Sequence, residues 1–295
     1  MIWVILSLLS AFSVATTDAL TKKALRFHSE YLVAWAVMAV GAVIFLVLLI
    51  FIPKPHLDRD FYIPFSCALP LEIASVILYT KALKVSPLSL TVPFLSLTPV
   101  FLLVTPFFIL GETIGPPGIA GILAIACGAY LLHMGRFKDG ILEPFRAIRR
   151  ERGSLLMIVV AVIYSLTASL GKRAIEHSSP AFFTAAYVLT LSVLLAPFAL
   201  FSYQQRYYRH GKTFNLQHLF GQTLLPGVLF VIGSLAHSWA VQLTEVAYMI
   251  SIKRLSLLIG VVYGWLFFKE KGIKERLLGA ALMLAGFVVI VLFGR

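Results

Sequence analysis

The chain has 295 residues, 60% of them hydrophobic and 13% charged, with a formal net charge of +12. That composition leaves too little polar surface to dissolve a protein of this size, which excludes a water-soluble helical bundle. The two cysteines, Cys67 and Cys127, both fall inside apolar stretches. They read as small packing residues, and they point away from a disulfide framework or a thiolate metal centre.

Ten apolar stretches fill the chain, at 2–21, 31–52, 62–83, 88–110, 116–134, 154–175, 180–202, 219–243, 246–268 and 274–293. A bilayer core about 30 Å thick is crossed by about 20 apolar residues in a helix, which satisfies every backbone N–H and C=O internally. The first stretch, WVILSLLSAFSVA, follows no basic region and runs past signal-peptide length, so it reads as a membrane helix. Near its end Asp18 stands four residues before Lys22, the spacing of a helix-end salt bridge.

The third stretch holds Glu72 near its middle, two residues after Pro70. An ionisable side chain at that depth costs roughly 2.5–3.5 kcal/mol on insertion scales, so it needs a role. The fourth stretch carries Pro93, Pro99 and Pro106. Interior prolines remove a backbone hydrogen bond and kink the helix, and the freed carbonyls could be served by Ser89, Ser96 and Thr98. Kinked helices beside a buried carboxylate point to a binding site and its gate, and equally to static kinks. Gly121, Ala124 and Gly128 in the fifth stretch, with Gly279 and Gly286 in the tenth, read as close-packing faces.

Segment 135–153 mixes Ile141, Leu142, Phe145 and Ile148 with arginines, a pattern for a surface-lying amphipathic helix or a basic linker. In the eighth stretch lies His237, and in the ninth Ser251, Lys253 and Arg254. Adjacent residues on a helix point about 100° apart, so Lys253 and Arg254 cannot serve one solute alike. On a continuous helix Lys253 shares a face with Gly260 and Gly264, and Arg254 lies nearer Ser251. Glu112 and Glu270 fall in tight interhelical turns and read as helix caps.

Counted by alternate loops, most of the lysines and arginines fall on the side of 135–153, including Arg136, Arg146, Arg149, Arg150, Arg206, Lys269 and Lys274. Basic short loops stay cytoplasmic, which puts both termini outside and explains the net charge without nucleic acid. The expected location is the cell (inner) membrane.

The second five stretches echo the first five. At an offset of 150, Thr17, Leu20, Lys22 and Ala24 match Thr167, Leu170, Lys172 and Ala174; at 158, Ala82, Glu112, Gly121 and Gly128 match Ala240, Glu270, Gly279 and Gly286. Five is odd, so the second repeat enters from the opposite side. The expected fold class is an all-α polytopic membrane protein of ten transmembrane helices in two inverted five-helix repeats, an arrangement common in transporters.

That 5+5 plan resembles the drug/metabolite transporter (DMT) superfamily, EamA type. So does LGETIGPPGIAGILAIACGAYLL at 110–132, echoed by FKEKGIKERLLGAALMLAGFVVI at 268–290. The resemblance implies a first EamA-like repeat at 1–134, a basic cytoplasmic linker at 135–153, a second repeat at 154–295, and alternating access for a small organic solute.

The chain lacks HExxH, a nucleophile elbow and a phosphate-binding glycine loop, and Ser234 beside His237 has no oxyanion hole to work with. No enzyme activity and no cofactor are expected, and transport would run on a gradient or exchange. The main reading is a secondary transporter of a small polar, anionic or zwitterionic metabolite, acting in the bilayer as a monomer or homodimer. Glu72, Lys253, Arg254, His237 and Ser251 bind the substrate, and Pro70, Pro93, Pro99 and Pro106 shape the gate. Glu72 paired with Lys253 or Arg254 as a packing element is the structural counterpart of that reading. Its rivals are a proton-coupled exporter of hydrophobic cations or drugs, and a non-transporting membrane partner or lipid-handling subunit.

Overall fold

The computed structural model describes residues 1–25, 27–85, 92–134, 152–205, 215–268 and 277–294. The linker segment 135–151, Ser89 and Glu270 lie outside them, as do the side chains of Lys22 and Pro93. All regular structure among the described residues is helical. The first five apolar stretches become α1 (Ile2–Ala24), α2 (Glu30–Leu48), α3 (Arg59–Val85), a 3-10 segment (Val92–Leu97) leading into α4 (Thr98–Phe101) and α5 (Thr105–Leu110), and α6 (Pro116–Met134). The next five become α7 (Arg152–Glu176), α8 (Pro180–Tyr203), α9 (Leu216–Leu243), α10 (Val246–Lys253) with α11 (Ser256–Phe268), and α12 (Leu277–Phe293). Seven spans are long and apolar enough to cross a membrane, and three shorter apolar segments lie at Phe94–Leu110, Pro116–Leu132 and Leu277–Phe293.

Helix ends follow local chemistry. Ser29, Asp58, Ser179 and Asn215 accept hydrogen bonds from the N–H three residues on, which satisfies donors left open in the first turn. Gly111 ends α5 at φ 73°, a left-handed turn that suits glycine, with no neighbour crowding it. Within the helices the buried Ser7, Thr184 and Thr223 return their hydroxyls to the carbonyl four residues back, which satisfies these donors without a partner helix.

The two halves of the chain pack on one another more than within themselves. The main pairs are α6 with α12, α1 with α9, α3 with α7, and α2 with α8. The predicted glycine faces make the first of these contacts. A Cβ on Gly128 would lie 2.6 Å from the Gly279 carbonyl oxygen, and one on Gly286 would lie 2.6 Å from that of Gly121. Gly233 similarly admits Ser13 of α1. Outward faces stay apolar and exposed, as at Val43, Phe108, Val193 and Leu224, which suits contact with acyl chains.

The fourth and ninth stretches are interrupted. In the fourth, Pro99 and Pro106 sit in the first turns of α4 and α5, where a missing N–H costs nothing. The Thr98 hydroxyl donates to Leu95 O (2.9 Å), as expected for a carbonyl freed near prolines. In the ninth, the chain leaves the helix at Arg254 and Leu255 without proline or glycine. Tighter bonds from Leu255, Leu257 and Leu258 N–H to the carbonyls three residues back carry the chain across this junction, which lies between Lys253 and the glycines Gly260 and Gly264. By contrast, α3 continues as one helix through Pro64 and Pro70.

Candidate functional site

Glu72, Ser75 and Tyr79 recur at helical spacing and share one face of α3. Across from them Tyr164 and Thr167 project from α7. The Thr167 hydroxyl donates to Tyr164 O (3.4 Å) and the Ser75 hydroxyl to Glu72 O (2.7 Å). Electrostatically, Thr167 acts on the Glu72 carboxyl and Ser75 on Tyr164. Tyr187 of α8 also lies within the field of Glu72. Lys253, the last residue of α10, sets its Nζ 3.4 Å from His237 Nδ1 on α9 and interacts electrostatically with both Glu72 and Asp18. Arg254, one residue further, acts on Tyr79 and Tyr164.

Glu72, His237, Lys253 and Arg254 are thus brought together from α3, α9 and the α10–α11 junction. Among the described residues no ion-pair contact joins Glu72 to either cation, so their attraction acts across a gap. Each of these four residues is half-buried, with helices on several sides, and Asp18 is exposed. Ionisable groups from α1, α3, α9 and the α10–α11 junction thus form an interacting polar cluster in the bundle. Ser251 stands apart: it is fully buried, and its hydroxyl is spent on Ala247 O at 2.6 Å.

Asp18 is the addition that the sequence did not supply. Local spacing pairs it with Lys22, whose side chain lies outside the described residues, and in the bundle it also feels the charge of Lys253. The only advance sign was an acid inside an apolar stretch, the same sign that singled out Glu72.

Toward one end of the bundle the polar cluster is capped by aromatic side chains. Phe65 of α3 meets Phe183 and Tyr187 of α8 edge-on at 6.1 and 5.8 Å, and the latter two stack at 5.2 Å. Beyond them lies a layer of charge. Lys172 donates to Glu112 Oε1 (2.5 Å) and Thr244 O (2.6 Å), while Glu112 Oε2 accepts from Val246 N–H (3.1 Å). Glu112 therefore does act as a cap, but on α10 of the other half. Arg173 reaches Asp60 at 3.2 Å and His177 Nδ1 reaches Asp58 at 2.8 Å. The His177 hydrogen bond holds the Asp58 carboxyl below the usual carboxylate range. Asp58, Asp60 and His177 place their donor atoms within 4.8 Å of one another, but these ion pairs and the Phe61 cap already account for the cluster.

Ionisable side chains set deep within apolar helices are uncommon and in membrane proteins often mark a path for solutes, ions or protons. Residues 1–134 and 151–292 match the EamA-like transporter family, and the chain belongs to that family, within the DMT superfamily of membrane transporters. A solved crystal structure shares the fold at a TM-score of 0.77 with 15% identity, over 99% of this chain and 97% of that one. None of the curated proteins compared is a significant match.

Proposed function

We propose that the chain is a secondary carrier that moves a small polar, anionic or zwitterionic metabolite by alternating access. The observation that supports this best is the half-buried set of Glu72, His237, Lys253 and Arg254 within a mainly apolar bundle. Charged groups at such depth are costly, and accessible surface on all four gives a solute somewhere to replace water. The cations would meet its anionic group, and Glu72 an amine or a proton. His237, bonded to Lys253, orients that amine.

The halves act as two inverted five-helix repeats, 1–134 and 154–295, joined by the basic segment 135–153. Helix pairing supports this: exchanging the halves turns the α1–α9 contact into the α7–α3 contact, and leaves α2–α8 and α6–α12 unchanged. The interrupted fourth and ninth stretches are the moving parts, with Pro99 and Pro106 fixing where the fourth breaks and Pro70 and Pro93 shaping the approach to it. The aromatic cap and the Lys172–Glu112 layer close one end, and the charge distribution assigns that end to the outside, with the 135–153 segment cytoplasmic.

Efflux from proteoliposomes loaded with a cell metabolite extract, followed by mass spectrometry, tests the reading. Selective loss of a few anionic or zwitterionic compounds, abolished by Lys253→Gln, is the expected result. Release of hydrophobic cations only under a proton gradient would replace it with the exporter, and no flux from folded protein would replace it with a non-transporting role.

A further inference from the structure

We infer that Arg254, together with the hydroxyls of Tyr79 and Tyr164, forms the subsite for an oxyanion (a carboxylate or phosphate group of the solute), and that Lys253 is the counter-charge of the acids. This rests on the carrier reading and divides its site in two.

The two cations differ in what surrounds them. Lys253 has His237 at 3.4 Å and feels the opposite charges of both Asp18 and Glu72. Its charge is balanced without any ligand. The groups that Arg254 interacts with electrostatically include Tyr79 and Tyr164 and, among the described residues, no carboxylate. Its Nε is buried with no hydrogen-bond partner among the described residues. Proteins leave such donors unmet only rarely, because each costs about 1–3 kcal/mol or more when charged.

A planar guanidinium presents paired N–H donors that match the two oxygens of a carboxylate or phosphate, and a tyrosine O–H can add a third. The helix break supplies the setting. Arg254 is the C-cap of α10 and α11 starts at Ser256, so the Arg254 backbone lies between the negative end of α10 and the positive end of the 13-residue α11. Leu257 and Leu258 N–H already bond the carbonyls of Arg254 and Leu255 at 3.0 and 2.9 Å, so the helix adds its field and not those two donors. Arg254 also repels Lys253. An anion held at Arg254 relieves that repulsion and frees Lys253 to move between Asp18 and Glu72.

Thermal unfolding of the purified protein in lipid-free detergent, titrated with sodium acetate or inorganic phosphate against chloride at matched ionic strength, reads the subsite directly. One or both anions should raise the unfolding temperature, and the arms distinguish carboxylate from phosphate. Arg254→Gln should weaken the apparent affinity by about tenfold or more, the loss of one charged hydrogen-bonding group. Arg254→Lys, which keeps the charge and guards against misfolding, should fall in between. The Tyr79→Phe/Tyr164→Phe pair should lose about fivefold. Lys253→Gln should cost less than Arg254→Gln, and the surface variant Arg173→Gln nothing. No effect of either anion on the parent protein, or a Lys253→Gln loss equal to that of Arg254→Gln, would overturn the assignment. Anion binding without flux in proteoliposomes would instead sink the carrier reading and leave the subsite standing.

Discussion

Lys172 and Arg254 are both cations drawn into the bundle, and the protein treats them in opposite ways. Lys172 keeps only 7% of its surface and is given a carboxylate and a carbonyl at hydrogen-bonding distance. Its carboxylate in turn caps α10 through Val246 N–H. Each polar atom of that set has a partner, and the set ties the turn after α5, the end of α7 and the start of α10 together. Arg254 is half-buried, bonded to no side chain among the described residues, and placed where a helix has been interrupted. The difference is the one that the proposed subsite requires, between charge paired within the structure and charge whose donor lacks a partner among the described residues. A buried ion can be afforded in either form, but only the second leaves a donor that a solute can complete.

The largest effect that would test this contrast is on stability. Lys172→Met should lower unfolding stability by about 3–5 kcal/mol, because it strands the Glu112 charge and the Thr244 carbonyl. Adding Glu112→Gln should recover much of that loss, since glutamine is neutral and still accepts from Val246 N–H. A Lys172→Met protein as stable as the parent would mean that the layer contributes no more than a surface pair. Arg254→Met should move the other way. Replacing an incompletely paired cation by an apolar side chain of similar length should raise stability by about 1–3 kcal/mol while abolishing anion binding. If both methionine variants lose stability alike, the two cations are not different in kind.

How far these roles could be read from sequence depends on how local their causes are. Membrane spans and their order follow from apolar length alone, and the glycine faces of α6 and α12 from small-residue spacing. Both are properties of one helix at a time. The interruption at Arg254 and Leu255 has no proline or glycine to mark it, so the sequence reads as one continuous stretch from 246 to 268. Lys172 sits where a loop count assigns it to an exposed helix end, and its burial depends on Glu112 and Thr244 arriving from distant segments. Asp18 has a local partner in reach of sequence spacing, Lys22, whereas its interaction with Lys253 depends on α1 and α10 packing together. Glu72 and the two adjacent cations were legible because charge in a membrane span is conspicuous whatever its partner. Which cation is balanced is a property of the assembled bundle.

The smallest effect concerns the outermost charge of the same end, where the contrast with the buried Lys172 pair is one of solvent. Asp58 and His177 lie at the surface, and the hydrogen bond from His177 lowers the Asp58 pKa from its ordinary value. A carboxyl depressed in the folded state contributes stability that is present above its unfolded pKa and is lost as pH falls through the folded one. Asp58→Asn removes the charge and keeps an N-cap acceptor for Phe61 N–H, since asparagine caps as well as aspartate. The variant should therefore unfold at a slightly lower temperature than the parent at neutral pH. That gap should close in the acid range, as the parent's own carboxyl becomes protonated. Exposed pairs are weak and screened, so the gap should also shrink in high salt, whereas the Lys172→Met loss should not. A pH-independent gap would assign the Asp58 contribution to the helix cap alone and leave His177 as a bystander. A gap as large and as salt-resistant as that of Lys172→Met would place this outer pair with the buried layer, and the division between saturated interior charge and solvent-exposed charge would have to be redrawn.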